Sequence, residues 1–141
     1  MIYQTDPTFP SSIQHWGCYF LSLLWHLNDR FSLGIFTFPE VMRIYTHETG
    51  DFDIGPECYL QNPQGVCDEV VPGKVKYLGK QGSIYTCASD EFEVQRWHNP
   101  NTDFFHFVAA KGGHVVYDSI EGGSRTVREG ACDGKRIFKV L

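Results

Sequence analysis

The chain has no block of like charge, no uninterrupted apolar run of membrane-spanning length, no Cys-x-x-Cys pair and no Gly-x-x-x-x-Gly-Lys-Ser/Thr pattern. Each absence removes a class of function. A formal net charge of −5 and a pI near 5.6 supply no positive field for a polyanion, so nucleic acid is not an expected partner. The longest apolar stretch, Tyr19 to Leu27, is interrupted by Ser22 and His26, and Met1 to Pro10 has no basic segment leading into an apolar one. Neither a membrane span nor a signal peptide is expected, and the expected location is the cytoplasm. Gly122, Gly123 and Ser124 lack the rest of a phosphate-binding loop.

No repeat, low-complexity tract or linker divides the 141 residues, and 42% apolar with 15% aromatic content suits a single domain, 1–141, around one core. Five cysteines, Cys18, Cys58, Cys67, Cys87 and Cys132, leave at least one unpaired under any disulfide scheme. In a reducing compartment the last four are expected to be ordinary thiols. Cys58 and Cys67 stand nine positions apart, which argues against a zinc site. No metal or other cofactor is expected.

Phe20, Leu23, Leu24 and Leu27 have the i, i+3, i+4, i+7 spacing of a core-facing helix that starts near Gly17, after Ser11 and Ser12. Cys18 therefore falls in its first turn. A second helix is predicted from about Pro39 to His47, with Glu40 at its positive end, Val41, Ile44 and Tyr45 on one face and Gly50 closing it. Asp51 to Gly73, with three prolines and two glycines ahead of Gly73, reads as loops around one short helix near Val66 to Val70. Strands are predicted at Lys74–Leu78, Ser83–Cys87, Glu93–Trp97, Asp103–Ala110, His114–Ser119, Arg125–Arg128 and Arg136–Leu141. Helices first and strands afterwards make an α+β domain.

One hairpin makes a sharper claim. A three-residue turn at Lys111, Gly112 and Gly113 pairs Ala110 with His114, Val108 with Val116 and His106 with Asp118, so the last two become cross-strand neighbours. Opposed Cβ atoms lie about 4.5–5.5 Å apart, within reach of a carboxylate–imidazole hydrogen bond. A two-residue turn would offset them. Phe105, Phe107 and Ala109 then face the other way, toward the expected core.

A cysteine at a helix N-terminus with a histidine and a carboxylate on later strands is the layout of an activated thiol nucleophile. The helix end and a nearby imidazolium both favour the thiolate, which brings a thiol pKa from about 8.5 down toward 3.5–7.5. Asp118 on the other imidazole nitrogen fixes tautomer and orientation, while a glutamine amide and the Cys18 N–H receive a developing oxyanion.

These residues also carry a resemblance. Gly17-Cys18 at a helix start, His106-Phe107-Val108 on a strand, Val115-Val116-Tyr117-Asp118 on the next, and Tyr3-Gln4-x-Asp6 a dozen residues before Gly-Cys resemble the papain-like cysteine peptidases, closest to the branch related to bacterial double-glycine leader peptidases. The resemblance spans about residues 1 to 30 and 103 to 120. It implies a papain-like fold, with an N-terminal helix carrying the cysteine packed on an antiparallel sheet. It also implies Cys18 as nucleophile, His106 as base, Asp118 as orienter, and a glutamine in the oxyanion hole. Gln4 suits the family's motif, and Gln14, only four residues before Cys18, suits local spacing. The chain departs from the branch at Tyr19 and Phe20, where small residues follow the cysteine; bulk there narrows the cleft or changes what binds.

Each of these residues also has a structural reading. Cys18 can be core filler, Asp118 can cap a turn before Ser119, and Trp16 can line a substrate cleft or pack in the core. The expected function is a cysteine hydrolase cutting an amide bond, with a peptide or peptidoglycan-like substrate in a bacterial or bacteriophage setting, where lysis machinery can deliver an enzyme without its own signal. A cytosolic peptidase or isopeptidase is the alternative enzyme. An inactive papain-like binding module is the alternative from another class, and it requires a buried Cys18 or an out-of-reach His106.

Overall fold

The computed structural model describes residues 1–141. Five helices and one sheet make an α+β fold, in the order α1 (Ser11–Trp16), α2 (Cys18–Phe31), α3 (Phe38–Gly50), α4 (Pro63–Val70), β1 (Val75–Gln81), β2 (Glu91–Asn99), β3 (Phe104–Lys111), β4 (His114–Tyr117), α5 (Arg125–Glu129) and β5 (Ala131–Val140). A 3-10 turn at Pro56–Cys58 lies between α3 and α4. The five strands form one antiparallel sheet in the order β1-β5-β2-β3-β4. None of the helices is long and apolar enough to cross a membrane.

The leucine-rich face of α2 is the centre of the core. Phe20, Leu21, Leu23, Leu24 and Leu27 are fully buried, joined by Ile13, Val41 and Ile44 from the flanking helices and by Val94, Ala109, Tyr117 and Phe138 from the sheet. Each buried Leu, Ile, Val or Phe side chain contributes about 1.5–3 kcal/mol through burial. This packing holds the first turn of α2 against the start of β3. Ser22 Oγ donates to the Phe107 carbonyl at 3.4 Å, and the Tyr19 ring stacks on Phe107 at a centroid distance of 4.7 Å.

Local signals account for the helix ends. Thr37 caps α3 by accepting from the Glu40 N–H, Pro39 sits in the first turn, and the helix runs to Gly50 itself. Gly17 separates α1 from α2, and no larger residue fits there because a Cβ would lie 2.5 Å from the Ile13 carbonyl oxygen. The serines at 11 and 12 begin α1 rather than precede a helix at Gly17. α4 starts at Pro63, three residues before the expected Val66.

Two predicted strands are absent. Ser83–Cys87 belongs to the crossover between β1 and β2, since β5 occupies the slot between those strands and the chain must pass it to reach β2. Arg125–Arg128 is helical, because Ser124 Oγ accepts from the Val127 N–H at 3.2 Å and nucleates a turn.

The hairpin register also differs from expectation. Lys111 pairs with His114 around a two-residue turn in which Gly112 and Gly113 have φ of 57° and 80°, values that favour glycine and match the strand twist. Ala110 then pairs with Val115 but Ala109 with Tyr117, so Val116 is the extra residue of a bulge. His106 and Asp118 are therefore not ladder partners. Of the residues expected on the core face, Ala109 is buried, Phe107 is half-buried and Phe105 is exposed beyond the end of the core.

Candidate functional site

His106 and Asp118 meet all the same. Asp118 follows the last residue of β4 and turns back under a tight bend, where Oδ1 accepts from the Ile120 N–H at 2.9 Å and Oδ2 from the Ser124 N–H at 2.8 Å. In that pose Oδ1 also lies 2.7 Å from His106 Nε2. The turn-capping reading and the orienting reading of Asp118 thus describe one conformation. Both side chains are nearly sealed from solvent, 8% exposed for His106 and 11% for Asp118.

With Nε2 committed to Asp118, the remaining ring nitrogen is left for the Cys18 thiol at the head of α2. Burial raises the thiol pKa, but hydrogen bonding and charge from His106, with backbone N–H groups of Phe107 and Tyr19, outweigh it and bring Cys18 below its ordinary value. Burial lowers the His106 pKa, but its hydrogen bond to Asp118 and the interaction with Cys18 raise it to about 9. Burial raises Asp118, and the His106 interaction and its two backbone donors bring it down to about 2. The three shifts share one cause, a charge-separated arrangement in which each ionised group stabilises the next.

The other cysteines behave differently. Burial pushes Cys58 and Cys67 up to about 12, burial with the Glu93 carboxylate pushes Cys87 up to about 12, and burial raises Cys132. All five are free thiols, and Cys18 alone shifts downward. It is half-buried rather than sealed.

The two glutamines separate clearly. Gln4 is 4% exposed and bound into the site's framework: its Oε1 accepts from Ser119 Oγ, its Nε2 donates to the Gln14 carbonyl at 3.0 Å, and its N–H donates to the Ser119 carbonyl at 2.9 Å. A carboxamide nitrogen has two protons, so one remains free. Gln14 instead spends its amide on the Phe9 carbonyl at 2.7 Å and the Pro7 carbonyl at 3.5 Å, bracing the N-terminal loop. Ser119 escaped sequence reasoning; its only signal was a hydroxyl directly after Asp118.

Trp16, two positions before Cys18, is 55% exposed, so the core alternative falls away. Tyr19, the other residue expected to touch substrate, is half-buried. Its ring lies on Phe107 and its hydroxyl is buried without a partner, because position 19 of the helix turns inward beside the sheet. Phe20 is fully buried, so its bulk fills the core instead of the cleft. A cavity of about 380 Å³ is lined by His26, Asp29, Lys111 and Lys135. His26 lies eight residues along α2 from Cys18, about 12 Å along the axis, so this cavity belongs to the opposite end of the helix.

Residues 1–140 match the model of a family described as Protein of unknown function, DUF261. No curated protein and no solved structure matches the chain.

Proposed function

The chain belongs to the DUF261 family, and for it we propose a cysteine hydrolase of papain-like architecture that cleaves an amide bond. The observation that carries this reading is the 2.7 Å His106–Asp118 hydrogen bond set beside a Cys18 thiol of lowered pKa. A thiolate–imidazolium pair is the resting form of such a catalyst.

In the proposed reaction, Cys18 Sγ attacks the substrate carbonyl carbon and the C=O electron pair moves to oxygen. The Cys18 N–H and the free Gln4 Nε2–H receive that oxyanion. Its collapse breaks the C–N bond, and the His106 imidazolium gives its proton to the departing amine. Water then attacks the thioester, passes a proton to His106, and the C–S bond breaks to release the acid and restore the ion pair. Asp118 stays ionised throughout and holds the ring.

The substrate class is a peptide amide, with peptidoglycan stem and cross-link peptides foremost. Trp16 is the exposed aromatic nearest in sequence to the nucleophile and the first candidate to hold it. The test is release of free amines from purified peptidoglycan sacculi and from a mixed-sequence peptide amide library. Wild-type protein releases amines from at least one and Cys18→Ala from neither; equal release by the two proteins contradicts the reading.

A further inference from the structure

The last turn of α3 gathers a second set of reactive side chains, independent of Cys18. His47, Glu48 and Asp51 each present a ligand-type atom, all within 4.8 Å of one another. Glu69 of α4 joins them, with Oε2 3.0 Å from His47 Nδ1, while Asp51 Oδ2 is 3.6 Å from the same nitrogen. The negative end of the α3 dipole lies here too, so carboxylates are doubly unfavourable without a cation. The one guanidinium nearby, Arg43, is divided between Glu40 at 3.0 Å and Glu69 at 3.5 Å.

Glu48 points most directly to a ligand. It is 1% exposed, and its Oε1 is buried with no hydrogen-bond partner. An unsatisfied buried carboxylate oxygen is costly, and natural structures rarely leave one without a proton, a donor or a cation.

We propose that His47, Glu48 and Asp51, with Glu69 as a fourth donor, form a binding site for a divalent metal cation. One imidazole with several carboxylates suits Mn²⁺, which favours oxygen-rich sets and has little affinity for thiols. Neighbouring donors at about 2.0–2.2 Å from one ion lie about 3 Å apart in octahedral geometry, so the 3.0 and 3.6 Å contacts to His47 Nδ1 already suit adjacent ligands, and the wider pairs, within 4.8 Å, close onto the ion by rotation of the exposed His47 and Asp51 side chains. His47 and Asp51 border a shallow depression shared with Met42, Arg43 and Thr46, which leaves their side of the cluster open to solvent. Bound there, the ion ties the end of α3 to α4 and stabilises the fold by mass action.

A proton is the competing way to relieve the same crowding. The Glu48 carboxyl is buried beside Asp53, Glu69 and Asp51, so a proton on it relieves the same repulsion. Glu48→Gln imitates that neutral form and removes the anionic ligand.

The experiment is Mn²⁺ titration of the full chain, free ion being read by electron paramagnetic resonance and melting temperature followed in parallel. Wild-type protein binds one equivalent saturably with a rising melting temperature, Glu48→Gln and His47→Ala each weaken binding at least tenfold, and Cys18→Ala binds as wild type. His47 is exposed, so its variant retains the fold even where Glu48→Gln does not. Absence of saturable binding, or binding unchanged by His47→Ala, overturns the proposal; loss of binding in Cys18→Ala overturns it by moving the metal to the thiol.

Discussion

His106 Nε2 lies 2.7 Å from Asp118 Oδ1 although the two residues are not partners in the β3–β4 ladder. The bulge at Val116 ends the strand early enough for Asp118 to leave it, and the two backbone donors at Ile120 and Ser124 turn the carboxylate back onto the ring. The contact is therefore made by a capped bend rather than by strand pairing. It depends on the loop after β4 as much as on the sheet.

Asp118→Asn tests that dependence. The amide can keep one backbone contact but does not stabilise an imidazolium as a carboxylate does, so kcat is expected to fall about 10²- to 10⁴-fold. Cys18→Ala and His106→Ala are each expected to abolish hydrolysis, and combining them should add little, since groups acting as a unit are non-additive. Steady-state amine release on the single and double variants checks this.

The pH profile follows from the same network. His106 rises from 6.5 to about 9, so the stability its charged form contributes is complete below 6.5 and is lost as pH rises through about 9. Activity that needs the imidazolium falls along the same alkaline limb, while the acid limb reports formation of the Cys18 thiolate. In Asp118→Asn the alkaline limb should move to lower pH. A profile of kcat/KM from pH 4 to 10.5 for both proteins measures it.

Gln4 and Gln14 are told apart by their partners. In the proposed mechanism Gln4→Ala removes an oxyanion donor and should lower kcat about 10²- to 10³-fold with little change in KM. Gln14→Ala only loosens the loop at Pro7 and Phe9 and should leave kcat within about threefold. Equal losses in the two variants would remove Gln4 from the oxyanion role.

The thiol–imidazole–carboxylate set was legible in the sequence because residue type carries its chemistry: a thiol at the head of an apolar helical stripe, and a histidine and an aspartate on consecutive strands. The helix bearing Cys18 was equally readable from the spacing of Phe20, Leu23, Leu24 and Leu27. The hairpin register was not, since a bulge at Val116 leaves no mark on alternation. Nor was the strand order, because nothing local tells β5 to insert between β1 and β2 and turn Ser83–Cys87 into a crossover. Arg125–Arg128 was readable in principle from the Ser124 cap, but its β-branched Thr126-Val127 pair favoured a strand. Tyr19 faced inward for a reason visible only in three dimensions, the Phe107 ring beneath it.

His26 gives a prediction about stability apart from catalysis. It is buried, its Nε2 donates to the Glu93 carbonyl at 2.7 Å, and burial lowers its pKa from 6.5 to about 4. The unfolded chain therefore binds the extra proton between those values, so stability is complete above 6.5 and falls as pH drops toward 4. The loss is on the order of 3 kcal/mol. Urea unfolding between pH 7.5 and 4 should show this decline, and His26→Leu should flatten it.

Cys18 as an activated nucleophile is the centre of the account, and competitive alkylation measures it most directly. The protein is treated with limiting iodoacetamide at pH 6.5, quenched over time, and each cysteine's labelling followed by peptide mass spectrometry. Cys18 is predicted to react at least tenfold faster than Cys132 or Cys87, with Cys58 and Cys67 slower still, and to lose that lead in His106→Ala. Labelling of Cys18 no faster than Cys132, or a lead untouched by His106→Ala, would contradict the account.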